Sequence, residues 1–148
     1  MVEEAQKEEE EDTTVYPLRL ANIGNTCYLN SVMQILVNLP QLKEILNDND
    51  KITKMINRIS KFSHNGEFID QFLRVINLRW EVNIAKKNNN VNLRPFKSIC
   101  GKIQPRFDTF EQQDGNEFLT FVLDELHEEL NIKYKREYIP NPDNYYFL

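Results

Sequence analysis

A chain of 148 residues with 41% hydrophobic content holds material for one core of ordinary domain size and not for two. Its net charge of −5 sits at the start, because residues 1–14 carry seven acids and one lysine, a charge of −6, and residues 15–148 sum to +1. No apolar run approaches the roughly 20 residues of a bilayer span, two cysteines and two histidines give neither a disulfide framework nor a zinc spacing, and basic residues are scattered among acids.

These features predict a protein of the cytoplasm and/or nucleus that uses no cofactor and no metal. Nucleic acid and membrane are set aside as partners.

Met1–Thr14 is rich in glutamate with almost nothing to bury, so a disordered acidic arm is expected there. From Cys27, the apolar residues Leu29, Val32, Met33 and Leu36 fall at helical spacing, with Asn25 or Thr26 as N-cap and Pro40 as the expected stop. A second helix is predicted over Lys51–Phe62, with Ile52, Met55, Ile56 and Ile59 on one face. A third is predicted from Glu67 to about Trp80, carrying Phe68, Phe72, Val75 and Ile76.

Ser63–Gly66 reads as a turn and Lys86–Asn90 as a polar loop. Pro95 can open a short helix through Ile99, with Gly101 placed to end it and Cys100 at its end. The longest helix is predicted from about Gln113 to Leu130, with Leu119, Val122, Leu123, Leu126 and Leu130 on its apolar stripe and acids opposite. After Asn131 the chain turns tyrosine- and proline-rich and stops in the apolar run Tyr145-Tyr146-Phe147-Leu148, a phrase that suggests a truncated domain. No stretch shows sustained period-two alternation, and the fold class is mainly α.

A cysteine in the first turn of a helix lies near unsatisfied backbone N–H groups, which favour a thiolate, so the position of Cys27 suits a nucleophile. A free cysteine is also readable as a small buried hydrophobe. Gly24 permits a tight backbone approach just before the helix, and Asn22 can present its amide N–H2 where an oxyanion needs a donor; Asn22 alternatively serves as an ordinary turn residue.

The stretch Leu20-Ala21-Asn22-Ile23-Gly24-Asn25-Thr26-Cys27-Tyr28-Leu29-Asn30-Ser31 resembles the cysteine box of the ubiquitin-specific proteases, which are papain-like cysteine deubiquitinases. Far along the chain, Phe110-Glu111-Gln112-Gln113-Asp114-Gly115-Asn116-Glu117-Phe118-Leu119 resembles the glutamine box of the same family, and Leu123–Asn131 continues its usual helix. The resemblance runs from about Leu18 to Asn131. It implies Cys27 as nucleophile, Asn22 as oxyanion stabiliser, and Gln113, Asp114 and Glu117 as contacts for the basic tail of ubiquitin. Asp-x-x-Glu at a helix start is equally a capping box, and that reading stays open. Gly115 departs from the alanine usual in the family.

The fold implied is the helical thumb subdomain, with residues 15–148 forming the N-terminal portion of a catalytic domain truncated before fingers and palm. The catalytic histidine and the Asp or Asn that orients it have no counterpart in this sequence: His127 reads as a structural helix residue and His64 as an exposed turn residue.

The first expectation is therefore a fragment of a thiol-dependent deubiquitinase that hydrolyses the bond after the C-terminal glycine of ubiquitin, acting on ubiquitin and ubiquitinated proteins. The alternative is a non-catalytic ubiquitin- or partner-binding module that keeps the thumb fold. A second chain supplying the palm half would complete the site. A thumb without its palm leaves an apolar face open, which predicts self-association.

Overall fold

The computed structural model describes residues 18–46, 48–58, 64–80 and 90–130. The acidic arm 1–14, Ile59, Phe62, Ser63, the loop residues 86–89 and the aromatic tail after Asn131 lie outside the described residues.

The described residues are mainly helical. In chain order they form β1 (Arg19–Leu20), α1 (Cys27–Val37), α2 (Pro40–Leu46), α3 (Asn49–Met55), α4 (Glu67–Trp80), β2 (Asn90–Val91), α5 (Arg94–Ile103), a 3-10 turn (Pro105–Phe107) and α6 (Gly115–Leu130). The two short strands pair in parallel, Arg19 opposite Asn90 and Leu20 opposite Val91. Helix α1 packs against α6, α4 and α2, while α4 also packs on α5 and α6, and α3 leans on α6.

The predicted stripe of α1 is buried at every position, with Tyr28 and Val37 added to it. Its end differs from expectation. The helix stops at Val37 without help from Pro40, and Pro40 instead opens α2 just after Leu39, whose carbonyl accepts the Lys43 N–H. Proline suits a first helical position because its missing N–H would be unpaired there anyway.

Helix α3 starts two residues before the predicted Lys51 and ends at Met55. Asp48 caps it by accepting the Lys51 N–H, and Ile56 turns extended so that the Asn57 N–H reaches the Glu129 carbonyl. Helix α4 matches its predicted span, and the turn before it is made by Asn65 and Gly66, both at positive φ.

Helix α5 runs through Gly101 to Ile103, so Gly101 is not its terminator. Its role is close approach: a Cβ there would stand 2.7 Å from Asp108 Cβ and 2.9 Å from Asp108 Cα. The hydrogen on Gly101 lets the chain reverse tightly into the 3-10 turn.

Helix α6 begins at Gly115, two residues after the predicted Gln113, and its buried face is Phe118, Phe121, Val122, Leu126 and Glu129. Leu123, expected in the core, is 50% exposed, and Leu119 is half-buried. The face is rotated because the aromatic rings of Phe118 and Phe121, not the leucines, fill the space against Phe107, Tyr28 and Phe68.

A Cβ on Gly115 would meet nothing within 4 Å, and its φ is not positive. Gly115→Ala is therefore expected to raise the unfolding free energy by about 0.5–1 kcal/mol, read as a higher urea midpoint at unchanged slope.

Candidate active site

The segment leading to Cys27 is tied down at each step. The Gln34 side chain donates to the Leu18 carbonyl at 2.6 Å, the Ala21 N–H bonds to the Val91 carbonyl at 2.9 Å, and Asn30 Nδ2 donates to the Ala21 carbonyl at 3.2 Å. The chain then reverses through Gly24 (φ 108°) and Asn25 (φ 47°). A methyl on Gly24 would need left-handed backbone and would also press to 2.9 Å of the Phe110 ring.

Asn22 organises this turn through its oxygen. Asn22 Oδ1 accepts from the Gly24 N–H (3.1 Å), the Thr26 N–H (3.4 Å) and the Thr26 hydroxyl (3.2 Å). Because two of these partners are N–H groups that only donate, the amide orientation is fixed. Its Nδ2, on the opposite side of a planar group, makes no hydrogen bond among the described residues, and Asn22 is exposed.

Thr26 occupies the N-cap position of α1 but does not cap it with its side chain. Its hydroxyl instead accepts the Ile23 N–H at 3.1 Å and donates to Asn22. Cys27 is the first residue of α1 and is exposed. The other cysteine, Cys100, is buried inside α5, and desolvation pushes its thiol far up from the ordinary range. One sulfur is thus available and the other withheld.

The glutamine-box segment comes to the same place from 85 residues away, where Asn25 Nδ2 donates to the Phe110 carbonyl at 2.9 Å. Beyond it, Asp114 caps α6: one carboxylate oxygen, Oδ1, accepts the N–H groups of Asn116 (2.7 Å) and Glu117 (3.0 Å). Its second oxygen makes no hydrogen bond among the described residues. Glu117 does not fold back to complete a capping box but pairs with Arg106 at 2.8 Å, with both side chains largely in solvent. Gln113 is half-buried just before the helix.

Neither histidine is held at the cysteine turn. His64 is half-buried instead of exposed as expected, because its ring faces Glu125 across to α6, with Nε2 3.5 Å from the carboxylate, beyond good hydrogen-bond range. Burial pushes the Glu125 carboxyl up from its ordinary value, and His64 only partly counters this. His127 is exposed and lines an apolar groove of about 790 Å³ with Leu42, Ile45, Met55 and Leu123 from α2, α3 and α6.

Among the described residues no cluster of three His, Cys, Asp or Glu side chains could hold a metal ion, and no helix is long and apolar enough to cross a membrane.

Sequence reasoning missed Lys97, a buried cation on α5 that donates to the carbonyls of Phe107 (2.8 Å) and Thr109 (3.0 Å). A single lysine among the residues of an amphipathic helix gives no sequence signal. Phe110 stood within the quoted glutamine box, but its packing on Gly24 depends on tertiary structure.

The model of the family described as ubiquitin carboxyl-terminal hydrolase matches residues 18–145. The chain belongs to that family. It is 38% identical over 124 residues to ubiquitin carboxyl-terminal hydrolase 15 of Homo sapiens, covering 84% of this chain and 12% of that protein. It is 36% identical over 124 residues to ubiquitin carboxyl-terminal hydrolase 4 of Mus musculus, with the same coverage. A third relative, ubiquitin carboxyl-terminal hydrolase 12 of Saccharomyces cerevisiae, is 36% identical over 125 residues, 83% of this chain and 10% of that protein. The chain therefore spans about a tenth of the length of these curated relatives. The match begins at Leu18, the residue whose carbonyl Gln34 holds, so it takes in the whole cysteine turn.

Proposed function

We propose that this chain is the nucleophile-bearing thumb of a ubiquitin carboxyl-terminal hydrolase, a cysteine-type deubiquitinase that cleaves the peptide or isopeptide bond after the last glycine of ubiquitin. The observation that carries the reading is the exposed Cys27 at the start of α1 behind a turn whose Asn22 keeps its oxygen inward and its N–H2 unbonded.

In this reading the Cys27 thiolate attacks the glycine carbonyl carbon. A C–S bond forms, the carbonyl π electrons move to oxygen, and Asn22 Nδ2 donates to that oxyanion. The C–N bond then breaks and the amine leaves with a proton from a histidine supplied outside this chain, by a longer protein or by a second chain. Water hydrolyses the thioester and returns the thiol. Asp114 can cap α6 with one oxygen and face the basic tail with the other, Glu117 can exchange Arg106 for a tail arginine, and Gln113 lies beside them.

Incubating this chain with ubiquitin that carries a C-terminal thiol-reactive electrophile is expected to add one ubiquitin, mapped by peptide mass to Cys27 and absent in Cys27→Ala. A folded chain that stays unmodified, or is modified at Cys100, would overturn the reading.

One observation favours a second reading for the chain on its own. His64 faces Glu125 and His127 lies in the α2–α3–α6 groove, so neither histidine is placed as a base for Cys27 among the described residues. A non-catalytic ubiquitin- or partner-binding module would bind unmodified ubiquitin equally well with Cys27→Ala.

A further inference from the structure

We infer that Lys97 is a positioning residue for the nucleophile turn, acting through the loop that connects α5 to α6; the inference rests on the reading of Cys27 as nucleophile. Lys97 is 8% exposed, and a buried ammonium persists only where hydrogen bonds replace its lost hydration. Here two backbone carbonyls do so, Phe107 at 2.8 Å and Thr109 at 3.0 Å. They belong to a loop that has no sheet partner. The Phe107 ring anchors one end of it in the core, but beyond that residue its other side-chain hydrogen bonds are short-range: the Thr109 hydroxyl donates to the Arg106 carbonyl, and the Glu111 N–H donates to the Thr109 hydroxyl.

The residue after Thr109 is the one that touches the cysteine turn. Phe110 is 70% exposed, so burial alone does not hold it. Its carbonyl nevertheless accepts Asn25 Nδ2, its ring lies where a Gly24 side chain would be, and Lys97 Nζ stands 5.8 Å from that ring. Asn25 holds a left-handed backbone at φ 47°, which asparagine adopts more readily than other non-glycine residues, and in that conformation its side chain reaches the Phe110 carbonyl. The chain of contacts therefore runs from Lys97 to the 107–109 carbonyls, to Phe110, to Asn25, and so to the two N–H groups that Asn22 binds. Lys97 need not touch substrate to matter.

The test uses the full chain with Lys97→Met, which keeps the length and apolar stem but removes every donor. Amide hydrogen exchange is read by NMR at Gly24 and Thr26 in the turn and at Ile69, whose N–H is held separately by Glu129. The expected result is exchange at least tenfold faster at Gly24 and Thr26 with Ile69 unchanged, together with at least fivefold slower labelling of Cys27 by the ubiquitin electrophile. Asn25→Ala, at an exposed position, reaches the same joint from the other side and guards against a misfolded Lys97 variant. It should reproduce the local exchange change, and the double variant should add little.

Exchange that is unchanged at the turn, or that rises equally at Ile69, would overturn the inference. If wild type takes no ubiquitin label, the functional reading fails while the exchange result still decides whether Lys97 holds the turn.

Discussion

Glu129→Ala is expected to lower the unfolding free energy by about 2–5 kcal/mol, because it strands one buried and one half-buried backbone donor, each worth about 1–3 kcal/mol when fully buried. Glu129 is fully buried on α6, and its carboxylate accepts the His64 N–H at 3.1 Å and the Ile69 N–H at 2.7 Å. Those donors flank the turn into α4, so one side chain fastens the start of α4 to the end of α6. The Asn57 N–H bonds to the backbone carbonyl of the same residue and survives the substitution.

Glu129→Gln should cost less than alanine yet remain destabilising. It keeps one acceptor but turns an N–H2 toward an N–H, donor against donor. Urea unfolding of the three forms checks the order, wild type above Gln above Ala. A domain of this size loses about 2–4 °C of Tm per kcal/mol, so the alanine form should melt about 4–20 °C lower. An alanine form as stable as wild type would contradict the account.

The second large effect is expected at Phe107, where alanine should cost about 3–5 kcal/mol in urea unfolding, the usual range for removing a fully enclosed aromatic ring. Phe107 has no exposed surface and meets Phe121 at 4.9 Å, Phe118 at 5.0 Å and Tyr28 at 6.1 Å between ring centres. Arg106 covers it from outside, with the guanidinium carbon 4.8 Å from the ring centre. Tyr28 directly follows Cys27, so the cavity left by Phe107→Ala opens behind that residue as well as in the core. Phe107→Leu, which refills most of the volume, should recover more than half of the loss. Equal losses for alanine and leucine would mean that ring packing is not what Phe107 supplies.

The helices most legible in the sequence are those whose buried side is mainly apolar and matches the helical spacing. Leu29, Val32, Met33 and Leu36 fixed the face of α1, and Phe68, Phe72, Val75 and Ile76 fixed α4. The pattern misled on α6, where Leu119 and Leu123 were read as core and the rings of Phe118 and Phe121 took the interior. Periodicity sees spacing but not size, and several aromatic rings clustered on one turn rotate the helix toward themselves.

Glu129 escaped for a related reason. An acid on an amphipathic helix is assigned to solvent unless its partners are known, and here they lie 60 and 65 residues away. Pro40 and Gly101 were both read as stops, although one opens a helix and the other gives way to Asp108. Local residue preferences leave those choices to tertiary contacts. The cysteine box was legible as a motif and as a turn. The inward oxygen of Asn22 follows from donors at Gly24 and Thr26 that only a folded turn presents.

The bond from Asn25 to Phe110 spans 85 residues, which gives it a meaning in time as well as in space. When the cysteine box leaves the ribosome, the loop that shapes it is still unmade. At ordinary rates of protein synthesis, of order 5–20 residues per second, the interval is about 4–17 s. During that interval Cys27 is an unshaped thiol on a growing chain, and its turn closes only after the residues of α5 and the loop beyond it have left the exit tunnel.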